Sequence, residues 1–417
     1  MSIAVPMAQP TLADIEAAAR IIAGRVLRTP TLYAPRLSAL TGAEIFIKYE
    51  NLQATGSFKD RGALVKLASL NDAEKKRGVI AMSAGNHAQA VAYHATRLGI
   101  RSTIVMPEIT PFVKVAATEA HGARVVLFGE TVAESEKRAE EIAAKENLVF
   151  VHPFDDPKVI AGQGTVALEM LADAPDLDLL IVPVGGGGLI AGIALAAKAA
   201  RPKIEIIGVE STLYPSLWNK LHDEARACGG PTLADGIAVK ETGKLTLPII
   251  RELVKEVMLV EEAHLERAVN AFLTLQMTLA EGAGAAGLAA VLAEPGRFRG
   301  KRIGLVVTGG NIDPRVAASI MVRELERAER IVSFRITIQD RPGTLGEIAT
   351  LLGRLGANIL EVDHRRLFLD VPAKGARLDV TIETRDKAHA EEIERKLRAE
   401  GLAVDRLDTG TGGYEPV

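Results

Sequence analysis

Short apolar runs alternate with amphipathic helical patterns along most of the chain. The apolar runs do not alternate strictly with polar residues, which is typical of parallel strands covered by helices on both faces. The predicted strands cover residues 44–48, 79–82, 103–106, 124–128, 148–151, 179–184, 204–209 and 303–307. Repeated strand–helix alternation indicates an α/β fold with open parallel sheets, in which ligands bind beyond the carboxyl ends of the strands.

The pattern changes after Glu329, where strict alternation over residues 331–339 predicts a half-buried strand. A helix, two strands, a helix and a last strand follow, predicted over residues 344–355, 356–360, 377–383, 387–400 and 403–407. The order βαββαβ is the ferredoxin-like arrangement. We therefore expect a small separate domain over residues 331–407, preceded by a main region, 1–325, and followed by a tail, 408–417.

Length and charge limit the possible classes of function. A chain of 417 residues suggests two or three domains. Its 50 basic and 53 acidic residues are spread along the sequence and leave a net charge of −3. This balance argues against nucleic acid or an anionic membrane as the main partner. The single cysteine, Cys228, excludes a disulfide framework and a thiolate metal cluster and fits a reducing compartment.

The N-terminus has no visible secretory signal, and residues 11–14 are typical of a capping box that opens a helix ending at Ile22. The uncharged run 179–197 is long enough for a membrane span. Pro183 and the glycines after it would, however, leave backbone groups unpaired in lipid. We therefore expect a strand, a glycine loop and a helix in this run, and a cytoplasmic protein.

Three polar or glycine-rich segments begin directly after a predicted strand, at Ser83, Gly185 and Thr308. Because parallel strands end at one edge of their sheet, we expect these segments to lie together. The four glycines 185–188 precede a predicted helix at Leu189, and their N–H groups can converge on a phosphate there. A flexible turn is the alternative. No nucleotide-binding motif matches, since the third glycine of a dinucleotide fingerprint would fall on Ile190.

Lys59 follows the strand at 44–48 and a turn at residues 56–57, and it lies near the start of a predicted helix. A cation is disfavoured at a helix N-terminus, so this position favours loss of the lysine proton. An unprotonated lysine is a nucleophile that can form a Schiff base. A solvated lysine at a helix start is the simpler interpretation of the residue taken alone.

Four motifs together resemble those of a known family. They are Ser-Phe-Lys-Asp-Arg-Gly-Ala at 57–63, Ser-Ala-Gly-Asn-His-Ala-Gln at 83–89, the glycine run 185–189 and Thr-Gly-Gly-Asn at 308–311. In this order and spacing they are similar to the pyridoxal-phosphate β-family of fold type II, and most of all to its threonine dehydratases. The likeness covers about residues 10 to 325, and the C-terminal part resembles a single ACT domain.

The resemblance implies pyridoxal 5'-phosphate as cofactor and two α/β domains around it, the smaller inserted at roughly 44–154. Lys59 would carry the cofactor and act as the α-proton base. The implied cofactor-binding residues are Phe58, Lys59, Asn86, Gly185, Gly186, Gly187, Gly188, Leu189 and Thr308. The implied substrate-binding residues are Ser83, Ala84, Gly85 and Asn86. For Phe58 a place in the core is an alternative, and Ser83 can instead cap its helix.

Thr308 matches the position where the family places a hydroxyl or thiol against the pyridine nitrogen. A neutral partner does not keep that nitrogen protonated, so the ring withdraws electrons less strongly and prompt loss of a β-substituent is favoured over transamination. We therefore predict deamination of L-threonine to 2-oxobutanoate and ammonia, also with L-serine, in isoleucine biosynthesis or threonine catabolism. Chain pairing in the family implies a homodimer or homotetramer.

The ACT resemblance implies an allosteric amino-acid site at Asp340, Arg341, Pro342, Gly343 and Asn358. The alternative is that any βαββαβ unit needs a glycine-rich turn at this place.

Glu281, His87 and the segment around Glu210 are further candidates in the main region. Glu281 lies in another family segment, and its role stays open. His87 is interpreted as a packing or capping residue. Some relatives bind a cation after the segment ending at Glu210. Here only Glu210 suits a metal, with Tyr214 and Ser216 nearby, so no metal site is predicted.

Other functions remain open at this point. A serine or 3-hydroxyaspartate dehydratase, or a serine racemase-like enzyme, shares every motif above. A protein of another class, an amino-acid-binding regulator with an inactive catalytic domain, is the further alternative. The intact Lys59, Asn86 and glycine run argue against it.

Overall fold

The computed structural model describes residues 8–365 and 375–407. The chain divides into two compact units, the first ending at Asp313 and the second starting at Pro314. The predicted tail 408–417 lies outside the described residues.

Within residues 8–313, the first unit contains ten strands. In chain order they are β1 (Thr31–Tyr33), β2 (Glu44–Tyr49), β3 (Val79–Met82), β4 (Ser102–Met106), β5 (Arg124–Leu127), β6 (Val149–Phe150), β7 (Leu179–Pro183), β8 (Glu205–Ser211), β9 (Glu256–Val260) and β10 (Arg302–Val307). They form a six-stranded sheet in the order β1-β2-β10-β7-β8-β9 and a four-stranded sheet in the order β5-β4-β3-β6. Every pairing is parallel except that of the edge strand β1 with β2. The predicted α/β class with parallel sheets is confirmed.

Fourteen helices of the first unit surround these sheets in the described part of the chain. They are α1 (Leu12–Ile22), α2 (Pro35–Thr41), α3 (Lys59–Ala68), α4 (Asp72–Arg77), α5 (Asn86–Arg97), α6 (Phe112–Ala120), α7 (Val132–Glu146), α8 (Pro157–Asp173), α9 (Gly188–Ala200), α10 (Ser216–His222), α11 (Thr246–Leu253), α12 (Glu262–Gln276), α13 (Gly282–Ala293) and α14 (Pro295–Phe298). Helix α13 packs against four strands of the large sheet because its glycines and alanines allow close approach.

Capping side chains determine where several helices begin. Thr11 accepts a hydrogen bond from the Asp14 N–H in a capping box, so the predicted start of α1 is correct. Gly85 is the N-cap of α5, which begins at Asn86, and Pro111 is the N-cap of α6. The short edge strand β1 and the strand β9 were not predicted.

The uncharged run 179–197 contains the buried strand β7, the glycine loop and most of helix α9. Within residues 8–365 and 375–407, no helix combines the length and the apolar character that crossing a membrane would need.

The second unit begins with helix α15 (Pro314–Arg327), which packs against the first strand of a four-stranded antiparallel sheet. The elements after it are β11 (Ile331–Gln339), α16 (Thr344–Arg354), β12 (Asn358–Arg365), β13 (Gly375–Glu383), α17 (Lys387–Ala399) and β14 (Ala403–Leu407). The sheet order is β12-β13-β11-β14, so the predicted βαββαβ unit is confirmed. The unit boundary precedes the predicted end of the main region at residue 325, since α15 belongs to the second unit.

Candidate active site

Backbone hydrogen bonds join the loop before α3 to the loop after β10. The Phe58 N–H donates to the Thr308 carbonyl at 3.0 Å, and the Gly310 N–H donates to the Gly56 carbonyl at 3.0 Å. Thr308 is itself buried. Two of the predicted segments, far apart in sequence, therefore lie side by side.

Lys59 is the first residue of α3 and is half-buried. Its Nζ donates to the Pro153 carbonyl at 2.8 Å and lies 5.2 Å from the centroid of the Phe58 ring. Burial lowers the pKa of this amine to about 8, against an opposing effect of the Glu281 carboxylate. An appreciable fraction of the amine is therefore unprotonated near neutral pH, as a nucleophilic lysine requires.

Phe154 follows Pro153 directly and connects the Lys59 region to the glycine loop. A Cβ added at Gly186 would lie 2.3 Å from carbons of the Phe154 ring. A Cβ added at Gly188 would lie 2.9 Å from the Phe154 Cβ. Side chains are therefore excluded on this side of the loop.

The remainder of the loop leads into helix α9. Gly187 is the N-cap and has a φ of +94°, which glycine adopts without strain. The Thr246 hydroxyl donates to the Gly186 carbonyl at 2.8 Å, and Leu189 is buried in the first turn. The first N–H groups of a helix have no partner inside it, and its dipole favours an anion there. The loop thus offers a phosphate site without a bulky side chain in the way.

Asn86 is the first residue of α5, and both ends of its amide are hydrogen-bonded. Nδ2 donates to Glu281 Oε1 at 2.7 Å, and Oδ1 accepts from Nδ2 of Asn311. A Cβ added at Gly309 would lie 3.0 Å from Asn86 Nδ2. The motif at 83–89 therefore meets the motif at 308–311, as the sheet geometry predicts.

Glu281, whose role the sequence leaves open, is the N-cap of α13 and is 4% exposed. Its N–H donates to the Gly309 carbonyl at 3.0 Å. Burial and the charge of Asp235 raise the pKa of this carboxyl to about 7, while the hydrogen bond from Asn86 lowers it. The site thus holds a lysine and a carboxyl whose pKa values lie close together.

The predicted substrate segment, Ser83 to Gly85, forms the half-buried connection between β3 and α5. The Ser83 hydroxyl accepts from the Gly85 N–H at 3.1 Å, and its own N–H donates to the Val105 carbonyl. Ser83 is not the helix cap, because Gly85 is the N-cap and α5 starts after it. Ala84 between them carries no polar side chain.

Two histidines lie within electrostatic reach of Lys59. His87 Nε2 donates to the Val151 carbonyl at 2.9 Å, and burial lowers the pKa of this ring to about 3. Burial also lowers the pKa of His152, whose Nδ1 accepts from the Asp155 N–H at 2.8 Å. Both rings are neutral near pH 7, so His87 has a packing contact and not the charge of a general acid.

A buried ion cluster ties the first turn of α3 to its surroundings. The Arg61 guanidinium binds Glu50 and Glu169, with Nε 2.7 Å from Glu50 Oε2 and Nη1 2.7 Å from Glu169 Oε1. Lys48 Nζ is 2.6 Å from Glu169 Oε2. The two cations, Lys48 and Arg61, thus balance the two carboxylates, Glu50 and Glu169.

The carboxylate of Glu210 accepts hydrogen bonds from the N-terminus of a helix. Its Oε1 accepts from the Leu217 N–H at 2.9 Å and its Oε2 from the Trp218 N–H at 2.8 Å, at the start of α10. Among the residues that the structure describes, no group of three or more His, Cys, Asp or Glu side chains could hold a metal ion.

The candidate effector residues lie at two places in the second unit. Gly343 is the N-cap of α16 with a φ of +94°. The Arg341 N–H donates to the Gln339 carbonyl at 2.9 Å and the Thr344 N–H to the Arg341 carbonyl at 3.4 Å, so the chain turns tightly over residues 340–343. Asn358 begins β12, and its amide donates to Glu383 Oε2 on β13 at 3.4 Å.

Pro153 and Phe154, which meet Lys59 and the glycine loop, were not predicted as site residues. Asn311 was predicted only as part of a motif, and the role of Glu281 was left open although it lies in a segment that resembles the family. Nothing in the local sequence distinguishes Phe154 from a core phenylalanine.

The residues present fit pyridoxal phosphate, which carries an aldehyde, an anionic phosphate and a ring oxygen. Lys59 would hold the aldehyde carbon, the N-terminus of α9 the phosphate, and Asn86 the ring oxygen. A phosphate can approach the backbone of a loop closely only where the loop lacks side chains. The glycine loop meets this condition, since an added Cβ at Gly186 or Gly188 would collide with Phe154.

Comparisons with known proteins agree with this geometry. Residues 22–309 match the model of the family described as pyridoxal-phosphate dependent enzyme, and residues 332–401 match the ACT domain. An L-threonine ammonia-lyase of Thermotoga maritima is 46% identical over 396 residues, which cover 94% of this chain and 98% of that protein.

Two solved structures share the fold of the first unit. A T.th. threonine deaminase has a TM-score of 0.69 and 41% identity, and the match covers 73% of this chain and 99% of that one. Maize serine racemase has a TM-score of 0.71 and 33% identity, and the match covers 77% of this chain and 100% of the racemase. The resemblance of the four motifs and of the C-terminal unit is thereby confirmed. The chain belongs to the pyridoxal-phosphate dependent enzymes, of fold type II, and carries a C-terminal ACT domain.

Proposed function

We propose that this protein deaminates L-threonine to 2-oxobutanoate and ammonia by β-elimination of water, as a threonine ammonia-lyase. The observation that carries the proposal is Lys59, a half-buried amine with a pKa of about 8 beside the segment that packs on the glycine loop. The Thermotoga maritima relative supports this choice of substrate, since it matches over both units.

Pyridoxal phosphate, when bound, supplies a ring that stabilises negative charge at the α-carbon of the substrate. Lys59 Nζ would hold the aldehyde carbon of the cofactor, and as a free amine it would accept the α-proton of the substrate as general base. The N–H groups of Gly185, Gly186, Gly187, Gly188 and Leu189 hold the phosphate.

Two side chains hold the ring of the cofactor. Asn86 donates to its ring oxygen. Thr308 offers a neutral hydroxyl to its nitrogen, which favours elimination over transamination. Phe58 is proposed to contact the face of the cofactor ring. The centroid of the Phe58 ring lies 5.2 Å from Lys59 Nζ, which supports this contact.

The substrate carboxylate is proposed to bind the connection formed by Ser83, Ala84 and Gly85, together with Asn86. This segment supports the assignment because it opens helix α5, whose N-terminal dipole favours an anion. No side chain of the segment carries a negative charge that would oppose a carboxylate.

Steady-state formation of the 2-oxo acid from L-threonine, L-serine and 3-hydroxyaspartate tests the substrate. We expect the largest kcat/KM with L-threonine and a lower value with L-serine. A higher value for either other amino acid, or formation of D-serine from L-serine, would replace the assignment by one of the neighbouring activities. A protein without cofactor absorbance in the visible region would instead be an inactive regulator.

The second unit is proposed as an allosteric module over residues 331–407, with an amino-acid effector at Asp340, Arg341, Pro342, Gly343 and Asn358. Two observations support it: the match to the ACT domain and the tight turn at 340–343. Isoleucine or valine as effector would place the enzyme in isoleucine biosynthesis, and no response would favour threonine catabolism. Calorimetry of the full chain with each amino acid tests this.

We further propose a cytoplasmic homodimer or homotetramer with a catalytic region at 1–325 and a smaller domain inserted at roughly 44–154. The separate four-stranded sheet, β5-β4-β3-β6, supports the inserted domain. The lone free Cys228 supports a reducing compartment. Light scattering on the purified protein measures the assembly.

A further inference from the structure

A continuous chain of hydrogen bonds runs through the side chains of Asn311, Asn86 and Glu281. Asn311 Nδ2 donates to the Thr55 carbonyl at 3.1 Å and also to Asn86 Oδ1. Asn86 Nδ2 in turn donates to Glu281 Oε1 at 2.7 Å. Hydrogen bonds thus connect Thr55, Asn311, Asn86 and Glu281, which belong to four different segments of the chain.

The two ends of this chain determine how both amides are turned. A backbone carbonyl, such as that of Thr55, only accepts, so the Asn311 group facing it is the NH2. The same NH2 gives its second N–H to Asn86 Oδ1, so the Asn86 NH2 faces Glu281 Oε1, which can accept from it whether or not this carboxyl, with a pKa of about 7, is ionised. Asn86 Oδ1 is then occupied by Asn311, and one N–H of Asn86 is left to donate elsewhere.

The surroundings leave little room for the amide of Asn86 to turn over. Glu281 is 4% exposed, and a Cβ added at Gly309 would lie 2.5 Å from Glu281 Oε1 and 3.0 Å from Asn86 Nδ2. A flipped Asn86 would set its oxygen against the carboxylate and its NH2 against that of Asn311. The contact with Asn311 would be repulsive at any pH, and the contact with Glu281 would be repulsive whenever this carboxyl, with a pKa of about 7, is ionised.

We propose that Glu281 and Asn311 are positioning residues that lock the Asn86 amide as a donor toward the ring oxygen of pyridoxal phosphate, so that the site selects the anionic form of that oxygen. This inference rests on the proposed placement of the cofactor against Asn86. A locked donor stabilises an anionic oxygen by a charge-assisted hydrogen bond, whereas a freely turning amide could equally present its own oxygen.

Cofactor affinity without any amino acid tests the lock. Pyridoxal phosphate is compared with 3-O-methylpyridoxal phosphate, whose methylated ring oxygen cannot become an anion but whose aldehyde and phosphate are unchanged. Asn311→Ala removes the donor to Asn86, and Glu281→Leu removes the acceptor. We expect each variant to lose about tenfold in affinity for pyridoxal phosphate, the effect of one hydrogen bond, and less than about threefold for the methylated compound.

Two further variants separate positioning from general damage. Glu281→Gln keeps a carbonyl that accepts from Asn86, so we expect it to bind pyridoxal phosphate within about threefold of wild type. Asn51→Leu is the matched control, because the Asn51 amide donates to the Leu279 carbonyl at 2.9 Å without contacting Asn86. It should bind both compounds as wild type does.

Equal losses for the two compounds in Asn311→Ala and Glu281→Leu, or no loss for either, would overturn the lock. Circular dichroism of the proteins without cofactor identifies a variant that has not folded, and the other variant then carries the comparison alone. The affinities are measured without substrate, so they do not depend on whether the protein deaminates L-threonine. Conversely, a negative result for the positioning of Asn86 would not contradict the proposed reaction.

Discussion

The guanidinium of Arg61 lies 2.7 Å from the carboxylate of Glu50, and both side chains are fully buried. Arg61 is two residues after Lys59, in the first turn of α3, while Glu50 belongs to the turn that follows β2. The pair therefore fastens the helix that carries the reactive lysine to the end of a central strand.

Breaking this pair should cost much more than breaking an exposed one. Glu50→Gln leaves the buried Arg61 charge without half of its partners, so we expect the free energy of unfolding to fall by about 3 kcal/mol. The control is Glu146→Gln, which breaks a pair with Arg124 whose side chains are 55% and 38% exposed. It should cost less than ~1 kcal/mol. Calorimetric melting of both variants measures the difference, and equal melting temperatures would show that the buried pair adds nothing.

The glycine loop should not tolerate a side chain that carries negative charge. Gly186→Asp places a Cβ at 2.3 Å from Phe154 carbons and a carboxylate near the phosphate site, and Gly187→Asp forces an unfavourable φ as well. We expect both to weaken cofactor binding at least about a hundredfold in equilibrium dialysis, since charge repulsion adds to the steric block. Gly229→Asp is the control, because nothing lies within 4 Å of the added Cβ. Unchanged cofactor affinity in the loop variants would place the phosphate elsewhere.

Capture of the cofactor by the protein without cofactor should depend on the pKa of Lys59. Only the free amine attacks the aldehyde, so the rate should rise with pH through a midpoint of about 8. The Glu281 carboxylate raises the Lys59 pKa, so Glu281→Gln should move the midpoint to lower pH. Visible absorbance followed after mixing gives the rates, with the exposed Glu294→Gln as control. A midpoint near the ordinary lysine pKa would contradict the assigned burial effect.

Removal of the second unit should leave deamination measurable but abolish any response to isoleucine or valine. The sequence pattern changes after Glu329, but this residue already belongs with the second unit: its Oε2 accepts a hydrogen bond from Arg406, and its carbonyl accepts one from Thr384. The chain should therefore end at Asp313. The T.th. threonine deaminase, 99% of which is covered by 73% of this chain, supports such a catalytic unit. If the shortened chain keeps the effector response and the assembly of the full chain, the ACT unit has no regulatory role.

The strands were predictable because buried parallel strands leave long apolar runs, as at Leu179–Pro183. Helix starts were less so, because the N-cap of α5 is a glycine without a capping side chain. The approach of Phe154 to the glycine loop and of Glu281 to Asn86 depends on residues far apart in the chain. Such contacts depend on how the two sheets pack against each other, and a local sequence pattern does not predict that packing.

Covalent attachment to Lys59 is the claim on which the account depends most. Borohydride reduction of the purified protein followed by peptide mass spectrometry identifies the residue that carries the cofactor, and formation of 2-oxobutanoate from L-threonine measures turnover. The account predicts the cofactor on Lys59 in wild type, and no measurable turnover in Lys59→Ala although that variant keeps its fold. Attachment to another lysine, or a Lys59→Ala variant retaining about a tenth of the wild-type rate, which is a barrier change of only ~1.4 kcal/mol, would contradict it.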